Sequence, residues 1–575
     1  MTSALARLRR SILAAVALRA VPAAGAQTAT LALINGHVVT VDSAKPEAEA
    51  VAIAGDRILA VGTNEEIRRH IGASTRVMDV GGRLVIPGFI EGHGHLLGLG
   101  DTKRRLDLTT ARTWDEIVAR VAAAARSVPR GAWILGHGWH QEKWDRAPVP
   151  SVEGYPVHSA LSAAVPNNPV LLEHASGHAS FVNEAALRLA GVTSATRDPA
   201  GGEIVRDASG VATGLLRESA QALADSAFAR TLAGRTPAQR DAEWRQLVDL
   251  AGADALSKGV TSFHDAGASF DQIAVFRKMA DERKLPLRLY AMVRFEPVAR
   301  MDSLLGGYRM VGRGGGFLTV RTIKRQVDGA LGSHGAWLLA PYADLPRSTG
   351  LALEQPASLE RVAALATKHG YQLATHAIGD RANREVLDVY ERAARTASRD
   401  ALRWRIEHAQ HVEPTDVARF ARLGVIASMQ GIHTISDAPW LADKLGAERA
   451  ERESYLFRSL WDAGVVVTNG TDAPVEDVNP IPSFYGMVAR VASDGRVFVP
   501  SQRLTRDEAL RAYTLNNAYA AFQERELGSL TPGKYADVVV MSKDIMRIPE
   551  REIPTAQVDY TIVAGSLRYR REATP

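Results

Sequence analysis

His93-Gly94-His95 places two imidazoles two residues apart, a spacing that turns both to the same face of an extended strand. Two neutral imidazoles side by side are half of a zinc-type site. Further along stand His376 in QLATHAIGD, His408 in WRIEHAQH and Asp472 in VVVTNGTDAP. Nitrogen and carboxylate donors of this kind suit one or two divalent ions, zinc first among them. The chain has no cysteine, which excludes thiolate zinc sites, disulfides and cysteine nucleophiles together. Lys324 in TVRTIKRQVDG is the unusual member, an ammonium sharing one face of an otherwise apolar strand with Thr322 and Gln326. Burying it unpaired is costly. Two resolutions stand side by side: an ion pair with a carboxylate such as Asp328, or conversion by carbon dioxide to a carbamate that can bridge two cations.

These side chains matter only if a scaffold gathers them. The middle of the chain, residues 86–520, alternates strand-like and helix-like stretches, the pattern of a parallel sheet with crossover helices. Its candidate strands are LVIPGFIEGHGH, GVTSFHDAG, LRLYAMV, TVRTIKRQVDG, YQLATHAIGD, WRIEHAQH, GVIASMQ and VVVTNGTDAP. Eight is the number that closes a (β/α)8 TIM-type barrel, whose active site lies at the C-terminal ends of the strands. His93 and His95 end the first strand, His376 the fifth, His408 the sixth and Asp472 the eighth, while Lys324 lies on the fourth. A metal centre at the barrel mouth is the economical explanation. A block at about 101–250, between the first two strands, is too long for a loop and predicts an inserted lid or subdomain. Short β-branched runs with Asn-Gly and Gly-Gly turns fill 27–85 and return in 521–575, predicting a small β-sandwich domain built from both termini. The expected class is α/β.

In order, PGFIEGHGH, TIKRQVDGALGS, QLATHAIGDRAN, RIEHAQHV and TNGTDAPV resemble the amidohydrolase superfamily. Within it, the chain is similar to the amidohydrolase 3 subgroup, which includes N-substituted formamide deformylase-like enzymes. The resemblance implies that His93, His95, His376, His408 and Asp472 are metal ligands or catalytic residues, and that Lys324 is the carboxylated bridging lysine. Two positions depart from the family pattern: Glu91 where Asp is usual, and Ser176-Gly177-His178 where Asp-Gly-His is frequent. His178 and His433 are second-rank candidates for substrate contact. Ordinary hydrogen bonding is the expectation for His264, His334 and His411, and packing of the insertion for Trp133, Trp139 and Trp144.

The chemistry expected is metal-assisted hydrolysis of a non-peptide carbon–nitrogen bond in a small amide-type substrate. Asp472 would serve as general base and acid, and His408 would help the metal stabilise the oxyanion. An esterase, lactonase or phosphoesterase on the same centre is the alternative, and a secreted metal-binding protein without catalysis is the alternative of another class. With 69 basic against 64 acidic side chains the chain is nearly neutral, and no basic block invites nucleic acid. A homo-oligomer is compatible with all of this. Arg7 to Arg10, the apolar run Ile12 to Leu18 and Ala24-Gly25-Ala26 read as a signal peptide over residues 1–26, cleaved after Ala26. Its removal predicts a secreted or periplasmic protein with no integral membrane segment, since no apolar run reaches the roughly 18 residues needed to span a bilayer.

Overall fold

The structure is a computed structural model that describes residues 27–394 and 402–572. The expected leader lies outside the described residues. Eight parallel strands follow one another in chain order around a single sheet: Phe89–Gly94, Val260–Ala268, Arg288–Val293, Leu318–Gln326, Gln372–Ala377, Arg405–His408, Ile426–Met429 and Val467–Asn469. We call these barrel strands 1 to 8. Strands covered on both faces need apolar residues in continuous runs. Barrel strands 1, 3, 5, 6, 7 and 8 are buried at every position.

The eighth strand meets the first without a regular ladder. Its seam is closed by Asp472 N donating to His93 O at 2.8 Å and His95 N to Ala473 O at 2.6 Å. Below them the Asn517 amide donates to Ile90 O and Asn469 O, both at 2.7 Å, stitching the two strands through a side chain. The run LVIPGFIEGHGH, expected as one strand, is two. Leu84–Pro87 joins a terminal sheet and Phe89–Gly94 enters the barrel. Gly88 makes the step because a Cβ there would meet the Thr261 side chain at 2.1 Å.

The helices lay apolar stripes on the barrel. Helix Asp380–Ala393 buries Val386, Leu387, Val389 and Tyr390. Helix Pro237–Ser257 starts on a capping box of Thr236 and Gln239, and its Val248, Ala251, Ala255 and Leu256 join Leu96 and Leu99 in the barrel core. The insertion has its own six-stranded sheet, with Ile134–Trp139, Val170–His174 and Ala179–Val182 at its centre. Trp139 and Trp144 pack with Trp114 and Phe181 in that unit's core, and Trp133 packs against a neighbouring cluster. Near the termini lie a four-stranded and a six-stranded sheet; in the latter, Leu84–Pro87 pairs antiparallel with Val538–Met541. The two sheets share one buried cluster that includes Leu33, Val51, Val85 and Val538. No helix among the described residues is long and apolar enough to cross a membrane.

Candidate metal centre

Barrel strand geometry delivers the predicted residues to one place. A cleft of about 810 Å³ at the C-terminal mouth is lined by His93, His95, Lys324, His376, His408, Asp472 and, from the insertion, His178. His433 does not line this cleft; it faces a narrower chamber of about 60 Å³ that shares His178, His376, His408 and Asp472 with it. His93 leaves barrel strand 1 buried, and His95 lies one residue past its end with its ring partly exposed. Their Nε2 atoms stand 3.5 and 3.2 Å from Asp472 Oδ1. These three ligand atoms lie within 4.8 Å of one another, and Asp472 Oδ1 has no hydrogen-bond partner. The His408 ring sits 4.7 Å from that of His93 and 4.4 Å from that of His376. His376 Nε2 is buried without a hydrogen bond, 3.5 Å from Asp328 Oδ1.

The chemistry of the donor set fits a divalent ion. Burial, with Lys324 beside it, pulls the His93 imidazole down to about 4. Burial and neighbouring histidines hold His376 and His408 well below the usual histidine range. All three are therefore neutral at physiological pH, the form that ligates metal. Burial pushes the Asp472 carboxyl up, but His93, His95 and His408 around it outweigh that and keep it ionised. Unpaired buried polar atoms are rare in folded proteins, so an orphaned carboxylate oxygen and an orphaned imidazole nitrogen at one spot mark a place for a cation.

Behind the ligands stands a supporting layer of which sequence reasoning singles out only Glu91. His93 Nδ1 donates to Glu407 Oε2, which orients the ring and leaves Nε2 for the cleft. Glu407 is fully buried, and its carboxylate pairs with Arg405 at 2.6 Å. Burial raises the Glu407 carboxyl, yet Arg405 and His93 bring it below its ordinary range. Arg405 also donates to Gly92 O and Ser428 Oγ, both at 2.8 Å, tying barrel strands 1, 6 and 7 together. Gln430 Oε1 accepts from His408 Nδ1 at 2.9 Å. Glu91 accepts from Thr471 N at 2.7 Å and from Thr471 Oγ1 at 2.9 Å, which fixes the loop carrying Asp472. The available signal is a charged residue one to three places before a ligand on the same strand, true of Glu91, Arg405 and Glu407.

Lys324 is buried with its Nζ 3.3 Å from His93 Nε2. Asp328, the carboxylate named as an ion-pair partner, is occupied elsewhere: its oxygens accept from the backbone N–H groups of Trp337, Ile378 and Gly379 at 2.8 to 3.0 Å. Lys324 makes no ion pair among the described residues. Burial, with Arg294 nearby, brings its ammonium down to about 7. His178 Nδ1 donates to Glu218 Oε2 at 2.8 Å, and its ring lies 5.2 Å from that of His376. His334 and His411 have structural partners in Asp344 and Ser454, and His264 packs under Arg405 and Tyr290.

The amidohydrolase family model matches residues 76–569. The protein LONG AFTER FAR-RED 3 of Arabidopsis thaliana is 36% identical over 94% of this chain and 92% of its own. The N-substituted formamide deformylase of Arthrobacter pascens is 32% identical over 95% of this chain and 99% of its own. Among solved structures, an uncharacterised metal-dependent hydrolase from Pyrococcus horikoshii superposes with a TM-score of 0.71 at 25% identity, covering 91% of this chain and 99% of that one.

Proposed function

The chain belongs to the amidohydrolase family, and from that premise we propose that it hydrolyses a non-peptide carbon–nitrogen bond in a small amide-type molecule. One or two divalent ions, zinc first, would be held by His93, His95, Lys324, His376, His408 and Asp472. The observation that carries this reading is the convergence of His93 Nε2, His95 Nε2 and the buried Asp472 Oδ1 within 4.8 Å. The name of the Arthrobacter relative, a deformylase of N-substituted formamides, supports an amide over an ester.

A bound ion supplies Lewis acidity and lowers the pKa of water toward neutrality. The rest falls to the chain. Asp472 takes the proton of the attacking water and returns it to the departing amine, held in position by the Glu91 to Thr471 hydrogen bonds. His408, its Nδ1 engaged by Gln430, helps stabilise the oxyanion through its other nitrogen. His178, oriented by Glu218, contacts the substrate carbonyl from the insertion side, and His433 contacts the substrate end that enters the narrow chamber. Carboxylation of Lys324 belongs to the same reading: only a neutral amine adds to carbon dioxide, and burial brings this ammonium down to about 7.

The test is a panel of N-substituted formamides and N-acyl amino acids beside lactones and organophosphates, run before and after chelation. Amide hydrolysis that disappears with the metal and returns with zinc supports the proposal. Turnover confined to lactones or phosphoesters overturns it. Lys324→Ala should lose metal and activity, with partial rescue by a short carboxylic acid; Lys324→Arg with full metal and turnover would make Lys324 structural. We also propose export with removal of residues 1–26. Intact-mass measurement on protein from a native-like host should find them absent, and a full-length cytoplasmic product refutes it.

A further inference from the structure

Among the described residues, three cationic side chains other than histidine line the wide cleft: Arg105, Arg294 and Lys324. Arg105 is neutralised by Asp101 and by Glu173 at 2.9 Å. Lys324 belongs to the metal centre. Arg294 has no carboxylate within ion-pair distance among the described residues. Its Nη2 donates to Gln326 Oε1, a neutral acceptor, and its guanidinium lies 4.7 Å over the Phe295 ring. The neighbouring Arg325 shows the ordinary solution, a forked pair with Glu354 at 2.7 and 2.8 Å.

Position sharpens the contrast. Arg294 directly follows barrel strand 3, and Gln326 ends barrel strand 4 two residues beyond Lys324. Side chains two apart share a strand face, so the Arg294–Gln326 contact sits one step nearer the mouth than Lys324. Arg294 is half-buried, its other guanidinium nitrogens make no hydrogen bond among the described residues, and they are not among the occluded orphan atoms. Arg294 lines the cleft. Phe295 is 66% exposed and held at φ 65°, a left-handed conformation uncommon for an aromatic residue. Such local strain persists only where surrounding structure fixes it, and it clusters at ligand sites.

We propose that Arg294 is an anion-binding, specificity-determining residue that receives a carboxylate of the substrate, making this centre selective for amides that carry a negative charge close to the scissile bond. The inference rests on the amide-hydrolase reading and deepens it. A planar fork of N–H donors matches a carboxylate in two parallel hydrogen bonds. Gln326 and Phe295 hold the fork in place without neutralising it.

The test uses the metal-loaded full chain and paired substrates that differ by the carboxylate alone. N-formylphenylalanine against N-formylphenethylamine puts it on the amine half, and N-benzylsuccinamate against N-benzylbutanamide puts it on the acyl half. For at least one pair, kcat/KM should favour the acid by about tenfold or more, the scale of a charge-assisted hydrogen-bond pair. Arg294→Met should shrink that ratio by a similar factor, with Arg294→Lys in between. A ratio that neither favours the acid nor responds to either variant overturns the proposal, as does an equal loss on acid and neutral partner. Failure of every amide would sink the reaction assigned above and leave this inference to calorimetry with 3-phenylpropionate and 3-phenylpropanamide. Wild-type protein should bind the acid about tenfold more tightly and Arg294→Met should not; wild-type binding without that preference overturns it.

Discussion

The two ends of the barrel treat several of their buried polar groups in opposite ways. At the N-terminal end, Arg288 donates to both Asp537 oxygens, at 2.7 and 3.0 Å, and to Gly316 O at 3.1 Å. Nearby, Tyr290, Thr322 and Gln372 close a network of hydrogen bonds in which Gln372 also donates to Arg403 O and Ala520 O. At the mouth, Asp472 Oδ1, His376 Nε2 and His433 Nε2 are buried and make no hydrogen bond among the described residues. Two of the mouth residues, His408 at φ 77° and Asp472 at φ 58°, also hold left-handed backbone, which costs a non-glycine residue about 1–3 kcal/mol. Satisfied groups build stability; unsatisfied, strained ones at one spot are held for a ligand.

Asp472→Asn should break the mouth most severely, lowering kcat by about a thousandfold, within the range ascribed to positioned acid–base groups. Melting temperature should change little. Zinc-loaded variant assayed beside wild type decides it, and wild-type turnover would remove Asp472 from the mechanism. Asp537→Ala is the matching strike at the other end. It leaves Arg288 buried and unpaired, so urea denaturation should register a loss of about 3–5 kcal/mol with metal stoichiometry and kcat retained. Metal loss without destabilisation would erase the distinction between the two ends.

Glu407→Gln lies between the two classes, since Glu407 orients His93 and also neutralises Arg405. Metal affinity measured by chelator competition should fall by about 10–100-fold; unchanged affinity would make the carboxylate purely structural. The smallest effect concerns His178. Burial lowers its pKa, but Glu218 outweighs burial and raises it above the ordinary value. Protonated His178 therefore adds stability that is full below about pH 6.5, the unfolded value, and is lost as pH rises through its folded pKa. Metal-free protein titrated by urea from pH 5.5 to 8.5 should show that decline, and Glu218→Gln should flatten it. A slope untouched by that substitution would assign the pH dependence elsewhere.

What was legible in the chain follows from periodicity. A polar residue at the C-terminal end of an apolar strand is conspicuous, so His93, His376, His408 and Asp472 stood out with their strands, and the structure gathers them at one cleft. Their supports were not legible because they depend on contacts between distant strands. Glu407 reaches His93 from barrel strand 6 to barrel strand 1; Glu91 reaches Thr471 across the seam. Asp328, weighed as a partner for Lys324, is claimed by three backbone amides that only the folded loop presents. The break at Pro87-Gly88 is not legible because both halves of that run open on apolar residues, Leu84-Val85-Ile86 and Phe89-Ile90. It takes the packing of Thr261 against Gly88 to separate them.

The antiparallel pairing of Leu84–Pro87 with Val538–Met541 has a consequence for the order in which the protein is made. During synthesis the first of these strands emerges long before its neighbour exists, and at about 5–20 residues per second the interval is roughly half a minute to a minute and a half. Throughout that time an apolar strand edge stands open on the nascent chain, the kind of surface that recruits other strands. The barrel can close from consecutive neighbours as they appear, whereas the terminal sheet waits for the last stretch of translation. Ribosome-bound chains halted before Val538 are thus the population in which misassembly would begin, and holdase protection of the amino-terminal strands matters most there.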